Sequence, residues 1–486
     1  MALDSSLDAR LAAADAAYTA CAWDAARPHL AHVLAADRAW ATLHSVPLML
    51  DHCRIELASP DALEALAFEH AVPRRTERET TLTQRLRFRT LALARSGDHQ
   101  RAAKLLRLVA DYDGPIADAL VSAAMPRSTA ARTTAPGFVD DPTLSPASVA
   151  AHRQRFAAAR LLLIYRRLFI DNPQRAHDPV DCLARSAERF GLTVRVIDAY
   201  RLPAGIALGD YAGWLQAQIL DFRPDVVVYD DLFESGVSAA DATVVEQIAT
   251  VLEGVRTLLG VRVVKSLLDA WLMQENGAER PMKGMGTYVD LLQHMHPALH
   301  AAQSPGERAR SFCYLVPFAL PRPTVPPGTI ARAGFVGSIS WFNIARLVWW
   351  VEAGKRGIPF DFHESDHTAA VLRSDQDYAN LLHQYQVSVN FTRRSNGSRI
   401  LTARTIETLL CEGVLAEEAS DNTAYFLAPG SHYEPFTTID EFAGLVDDLL
   451  RSEARRRRLS REGHQWVQAY FSGDRFWAGL FARLFD

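Results

Sequence analysis

The sequence predicts an α/β protein: two successive domains built on parallel sheets, preceded by an all-α helical domain. Three observations carry that reading. Residues 1–125 are rich in Ala, Leu and Arg and hold no strand-like run. From Arg155 onward, short β-branched runs alternate with stretches of ten or more residues at helical spacing. That is the pattern of parallel strands buried by crossover helices. A proline-rich joint, Pro317–Gly328 (PFALPRPTVPPG), interrupts the alternation, which then restarts.

The elements follow in order. Leu7–Leu34 and Thr80–Asp111 carry apolar residues at helical spacing. The phrase LARSGDHQRAAKLLRLVA reads as helix, glycine turn, helix, a hairpin of the tetratricopeptide type without a clean 34-residue period. Residues 126–150 are dense in Pro, Ser and Thr and read as a linker. Strands are expected at Arg160–Tyr165, Leu192–Asp198, Asp225–Tyr229, Val261–Ser266, Thr287–Leu291 and Phe312–Val316, with helices over Pro179–Phe190, Trp214–Asp221 and Ala240–Leu259. Beyond the joint, strands are expected at Ala333–Val336, Pro359–His363, Val387–Phe391 and Val414–Glu417. Helices are expected up to Lys355, over Asp377–Tyr385 and near Leu401–Cys411, and two more, about Glu453–Tyr470 and Asp474–Phe485, end the chain. The expected domains are 1–125 helical (TPR-like), 126–151 linker, 152–325 a first Rossmann-like domain and 326–486 a second.

Bulk properties exclude several classes. The chain has 486 residues, 49% of them hydrophobic and 22% charged, enough for large cores without staples. A net charge of −5 offers no field for nucleic acid or an anionic membrane. The cations are arginines apart from Lys104, Lys265, Lys283 and Lys355. The cysteines Cys21, Cys53, Cys182, Cys313 and Cys411 lie far apart, as in a reducing compartment. The first residues carry aspartates where a leader peptide needs cations, and no apolar run reaches the ~20 residues of a membrane span. A cytoplasmic protein is expected.

The chemistry concentrates in VSVNFTRRSNGSRILTARTIETLLCEGVLAEE, Val387–Glu418. A buried strand ends in a polar loop with Arg393, Arg394, Asn396, Gly397 and Ser398, and a helix follows. The first-turn amides of a helix are unpaired and attract anions. Arg399 is expected at the helix start and Arg404 on its second turn, with Glu407 three residues on and so on the same face. Guanidinium groups hold a diphosphate well, and a carboxylate can accept two ribose hydroxyls. The same spacing also suits an ordinary Arg–Glu surface pair. A second constellation is Gly334-Phe-Val-Gly337-Ser338-Ile-Ser340 with Arg346 beyond it, a glycine turn where backbone could approach phosphate. A third is the acidic stretch Phe360–Asp366.

Residues 333–486 resemble the C-terminal domain of GT-B-fold glycosyltransferases, especially the CgeB-like and group-one families. The resemblance rests on Arg404-Thr-Ile-Glu407 with Gly413, then Glu417-Glu418, Phe426-Leu-Ala-Pro429-Gly430, Tyr433–Phe436, Asp440–Leu450 and the basic phrase RRRRLSREGHQWV, in order. It implies that Glu407 binds ribose hydroxyls and Arg404 binds phosphate, with Arg399, Arg394, Asn396, Ser398, Gly337 and Ser338 around the donor. Many retaining relatives carry a second glutamate seven residues earlier, where this chain has Ile400, which leaves the stereochemical course open.

A catalytic base is expected from the first sheet, with Asp230, Asp231 and Asp269 as candidates and Glu234 and Asp290 behind them. His294 and His296 have metal-ligand spacing but no evident third ligand, and neither a metal nor a cofactor is expected. The basic run Arg455–Arg458 reads as a solvated helix face. The implied function is transfer of a sugar from a nucleoside-diphosphate sugar to a glycan or protein acceptor, docked in part by the helical domain. The rivals are a sugar-nucleotide 2-epimerase of the same fold and a non-catalytic helical-repeat scaffold.

Overall fold

The computed structural model describes residues 5–20, 22–36, 41, 46–57, 89–113, 144–165, 179–198, 205–230, 239–267, 288–337, 344–364, 374–393 and 399–486. Helices α1 (Ser5–Thr19), α2 (Trp23–Ala36), α3 (Val46–Leu57) and α4 (His99–Asp113) come first. The expected helical hairpin is present: residues 89–95 are helical, Gly97 takes φ +86°, and the Asp98 carboxylate accepts from the Arg101 amide to start α4. Helix α5 (Pro146–Arg155) begins inside the stretch expected as linker. Ser145 caps it and Pro146 supplies the fixed φ of a first helical position, so composition alone misled there.

Then follow β1 (Arg160–Tyr165), α6 (Pro179–Phe190), β2 (Thr193–Asp198), α7 (Tyr211–Phe222), β3 (Val226–Asp230), α8 (Ala239–Leu259), β4 (Arg262–Leu267), β5 (Leu291–His294), α9 (Pro297–Ala302), α10 (Pro305–Ala309) and β6 (Ser311–Cys313). The strands form one parallel sheet in the order β2-β1-β3-β4-β5-β6. After the joint come β7 (Ile330–Gly337), α11 (Ile344–Lys355), β8 (Phe360–Glu364), α12 (Asp375–Gln384), β9 (Tyr385–Asn390), α13 (Ala403–Leu410), β10 (Leu415–Glu418), α14 (Asp421–Phe426), β11 (Glu434–Phe436), α15 (Ile439–Arg451), α16 (Glu453–Tyr470) and α17 (Gly473–Phe485). These strands form a second parallel sheet, β11-β10-β9-β7-β8. The fold class is thus an all-α region followed by two Rossmann-like sheets. In each sheet the chain starts near the middle and reverses its direction of growth, between β1 and β3 and between β7 and β9. Ligands bind open α/β sheets at such reversals, outside the carboxyl ends of the strands.

One strand lies elsewhere than expected. β5 occupies 291–294, not 287–291, so Asp290 precedes the strand instead of ending it. There its carboxylate accepts from Arg256 (2.9 Å) and from the Val263 amide (2.8 Å). Burial opposes the charge, but these donors outweigh it and hold the carboxyl below its usual range.

The halves are interleaved. The chain's last helix, α17, leaves the second half and packs on α5, α6, β5 and β6. Trp477, fully buried, donates its indole N–H to Ser186 of α6 at 2.9 Å. A Cβ on Gly479 would sit 2.8 Å from Leu144 and Phe312, so only glycine permits this approach. In the other direction, α4 packs on α11 of the second half, and their apolar residues share one core.

Candidate functional site

The two glycines of the second constellation lie within β7, not in a turn after it, and each makes room for a side chain. A Cβ on Gly334 would come within 2.5 Å of the Tyr385 ring. A Cβ on Gly337, the last residue of β7, would strike the Arg404 guanidinium. Two separately read motifs therefore meet at the carboxyl end of β7, on the strand reversal of the second sheet.

Arg404 stands in the first turn of α13, one turn earlier than expected, because the helix starts at Ala403. Its guanidinium lies over the Phe335 ring, 4.6 Å from the centroid, and Nη1 donates to Asn390 Oδ1 at 3.2 Å. Arg346, in the first turn of α11 and only 4% exposed, places its guanidinium 5.4 Å from the same ring. Two cations thus gather on one aromatic residue at the sheet reversal. Thr402 is the N-cap residue of α13, yet its side chain does not cap the first-turn amides; its hydroxyl instead accepts from Asn390 Nδ2 at 2.9 Å. The positive end of α13 carries no side-chain cap of its own.

Glu407 is buried one turn on, and its Oε2 accepts from the Tyr378 hydroxyl of α12 at 2.7 Å. Burial, then the Glu407 charge, push the Tyr378 hydroxyl well above its ordinary pKa, while Arg404 pulls the other way, so Tyr378 lies within reach of both. Glu407 also adds to the raised pKa of the Cys182 thiol on α6, a shift due first to burial.

Arg399 sits outside α13. It forms an isolated antiparallel bridge with Arg393 that closes the base of the loop between them, and its Nη1 donates to the Ala419 carbonyl. Arg393 is buried against Glu418, Nε to Oε1 2.9 Å, and its amide donates to the same carboxylate. Arg394, Asn396, Gly397 and Ser398, with Ser338, Ser340, Asp366, Asp231, Glu234 and Asp269, lie outside the described residues. Asp230 ends β3, at the reversal of the first sheet.

The remaining candidates have structural partners. Asp361 accepts from Arg332 (2.7 Å) and Tyr385 (3.2 Å), and His363 pairs with the same tyrosine hydroxyl. His294 Nδ1 accepts from the His296 amide at 3.2 Å, which puts its proton on Nε2, facing Ser311 Oγ at 2.7 Å. Both ring nitrogens are thereby engaged, and burial pushes its pKa well down. Among the described residues no group of three or more His, Cys, Asp or Glu is placed to hold a metal ion. The run Arg455–Arg458, expected as a solvated face, is one in part: Arg457, paired with Glu453, and Arg458, which donates to the Gly430 carbonyl, are exposed, whereas Arg455 is tied to Glu434 (2.7 Å) and Arg456 to the Leu449 and Leu450 carbonyls.

Sequence reasoning gave Asn390 no role and met Glu417 only as part of the acidic pair Glu417-Glu418 in the resemblance. Asn390 ends β9, and Glu417 is fully buried in β10 beside it. Their signal was a polar residue closing an apolar strand, which the sequence shows at both places. A cavity of about 820 Å³ flanks the joint, lined in part by Cys182, Phe318, Arg322, Glu412, His464 and Phe471; none of the expected donor residues lines it. Among the described residues no helix is long and apolar enough to cross a membrane.

Residues 346–481 match the family model described as glycosyl transferase-like. No curated protein matches the chain. Among solved structures, the chain is similar to Anabaena HepE in complex with UDP and glucose (10% identity, 67% of this chain and 99% of that one, TM-score 0.44). It is similar also to sucrose-phosphate synthase of Thermosynechococcus elongatus (13%, 67% and 98%, TM-score 0.44). A third is a putative UDP-N-acetylglucosamine 2-epimerase of Listeria monocytogenes (10%, 67% and 95%, TM-score 0.38). Likeness of that size says nothing of activity; the segment from Arg346 through most of α17 is the part of the chain that matches the glycosyl transferase-like family model.

Proposed function

We propose that the protein transfers a sugar from a nucleoside-diphosphate sugar to a glycan or protein hydroxyl, as a GT-B-type enzyme of the CgeB-like or group-one kind. One observation carries the reading: Arg404, Arg346 and Gly337 converge with the uncapped start of α13 on the sheet reversal. Forked cations and helix amides at that place suit a diphosphate. The match of residues 346–481 to a glycosyl transferase-like family supports the same reaction class.

In this reading Arg404 and Arg346 neutralise the diphosphate as it leaves, without need of a metal, and Glu407 holds the ribose after exchanging Tyr378 for sugar hydroxyls. Arg399, Arg394, Asn396, Ser398 and Ser338 border the donor. The acceptor lies against the first sheet, where Asp230, Asp231 or Asp269 takes its proton; the TPR-like helices contribute to acceptor docking in the cytoplasm.

Calorimetry against a panel of nucleoside-diphosphate sugars tests the proposal. We expect binding of at least one, weakened by roughly 10- to 100-fold in Arg404→Ala, the range for losing a charged hydrogen-bonding partner. Undiminished affinity in that variant would refute the assignment. Incubation with donor alone distinguishes epimerisation, which consumes donor without acceptor.

A further inference from the structure

Asn390 sits between the proposed donor site and a buried carboxylate. Its Nδ2 donates to Glu417 Oε2 at 2.8 Å and lies 2.9 Å from Thr402 Oγ1 and 3.0 Å from Thr405 Oγ1. Its Oδ1 accepts from Arg404 Nη1 at 3.2 Å. Glu417 accepts further bonds from Thr405 (2.6 Å) and Thr423, and has no solvent exposure. Burial raises its pKa while these donors oppose the rise.

We infer that the Asn390–Glu417 pair is the positioning device of the donor site, fixing which end of the Asn390 amide faces Arg404. The inference rests on the proposed function and deepens it. An amide has one accepting and one donating end, and a flip exchanges them at little cost in shape. A carboxylate offers acceptors only. Glu417 therefore holds the NH2 end, and the carbonyl end must point at Arg404. That leaves the guanidinium bonded at Nη1, stacked on Phe335 and pressed against Gly337, with its position set before any ligand arrives. If the amide flipped, two donors would face each other and Arg404 would swing away from β7. Binding groups held in place beforehand lose less on association.

The test uses the full chain and UDP, ADP and GDP as probes. Glu417→Gln keeps the shape but can present an NH2 to Asn390, which favours the flip; we expect it to weaken the bound diphosphate about tenfold, the worth of one hydrogen bond to a charged group. Adding Asn390→Asp restores a donor–acceptor pair with the roles reversed and should recover most of the affinity, a rescue that mere loss of packing would not give. In an Arg404→Ala background, Asn390→Ala should add no further weakening. Should Glu417→Gln fail to fold, this second cycle decides alone. Wild-type affinity in folded Glu417→Gln and Asn390→Ala overturns the positioning role only, as does full additivity with Arg404→Ala. Absence of any nucleoside-diphosphate binding by the unaltered protein overturns the functional reading, and this inference with it.

Discussion

Gly337 shows how much hangs on single atoms. A methyl there has no room: it would strike the Arg404 guanidinium and come 2.8 Å from the buried Phe335 ring on which that guanidinium lies. We expect Gly337→Ala to weaken nucleoside-diphosphate binding by more than its loss of stability accounts for, measured by calorimetry beside a thermal melt; a loss of stability without weaker binding would assign the glycine to packing alone. His432 sets a different dependence. Its Nδ1 accepts from the Ala428 amide at 3.0 Å, its ring lies 4.5 Å from that of Trp466, and burial lowers its pKa to about 4. The folded state thus binds this proton less readily than the unfolded chain. The stability tied to the neutral ring is complete above about pH 6.5 and is lost as pH falls toward 4, at up to about 1.4 kcal/mol per pH unit for one proton. Buried His294 and half-buried His300 and His363 are shifted in the same direction and steepen the loss. Denaturant melts from pH 7.5 to 4.5 should show this slope, and His432→Gln should make it shallower.

Elements were legible where pattern and length agreed. RLLLIY is β1 residue for residue, and Pro179–Phe190 and Glu453–Tyr470 are helices with the expected bounds. The displaced β5 and the helix starting at Pro146 failed for local reasons: LLQH buries its polar residues, so hydrophobicity did not mark the strand, and a Pro-Ser phrase serves both linkers and helix starts. Within the candidate site, Arg404, Gly337 and Arg346 could be picked out from motif position. Their meeting could not, because it depends on β7 and β9 being neighbours despite the intervening β8. Asn390 and Glu417 lie on the consecutive strands β9 and β10, but that they stand side by side is fixed by the pairing register, which spacing alone does not give. The last helix is legible as a row of aromatics, and its placement is testable: Trp477→Ala removes a buried ring and its bond to Ser186, and should cost about 3–5 kcal/mol in chemical denaturation. A cost under about 1 kcal/mol would mean that α17 is not held on the first sheet as described.

At the scale of the whole molecule, each end of the chain is laid on the half to which it does not belong by sequence: α4 on α11, and α17 on α5 and α6. The joint is therefore not the sole tie between the halves. A protease site inserted between Pro321 and Gly328, once cut, should leave two fragments that elute together on gel filtration; fragments that separate without denaturant would contradict this crossed arrangement.

The same crossing bears on birth at the ribosome. Leu144, Phe190 and Phe312 of the first sheet's apolar layer are closed over by Trp477, Leu480 and Phe481. The first sheet thus waits for residues 477–481 to be translated, its greasy flank bare through the synthesis of everything between.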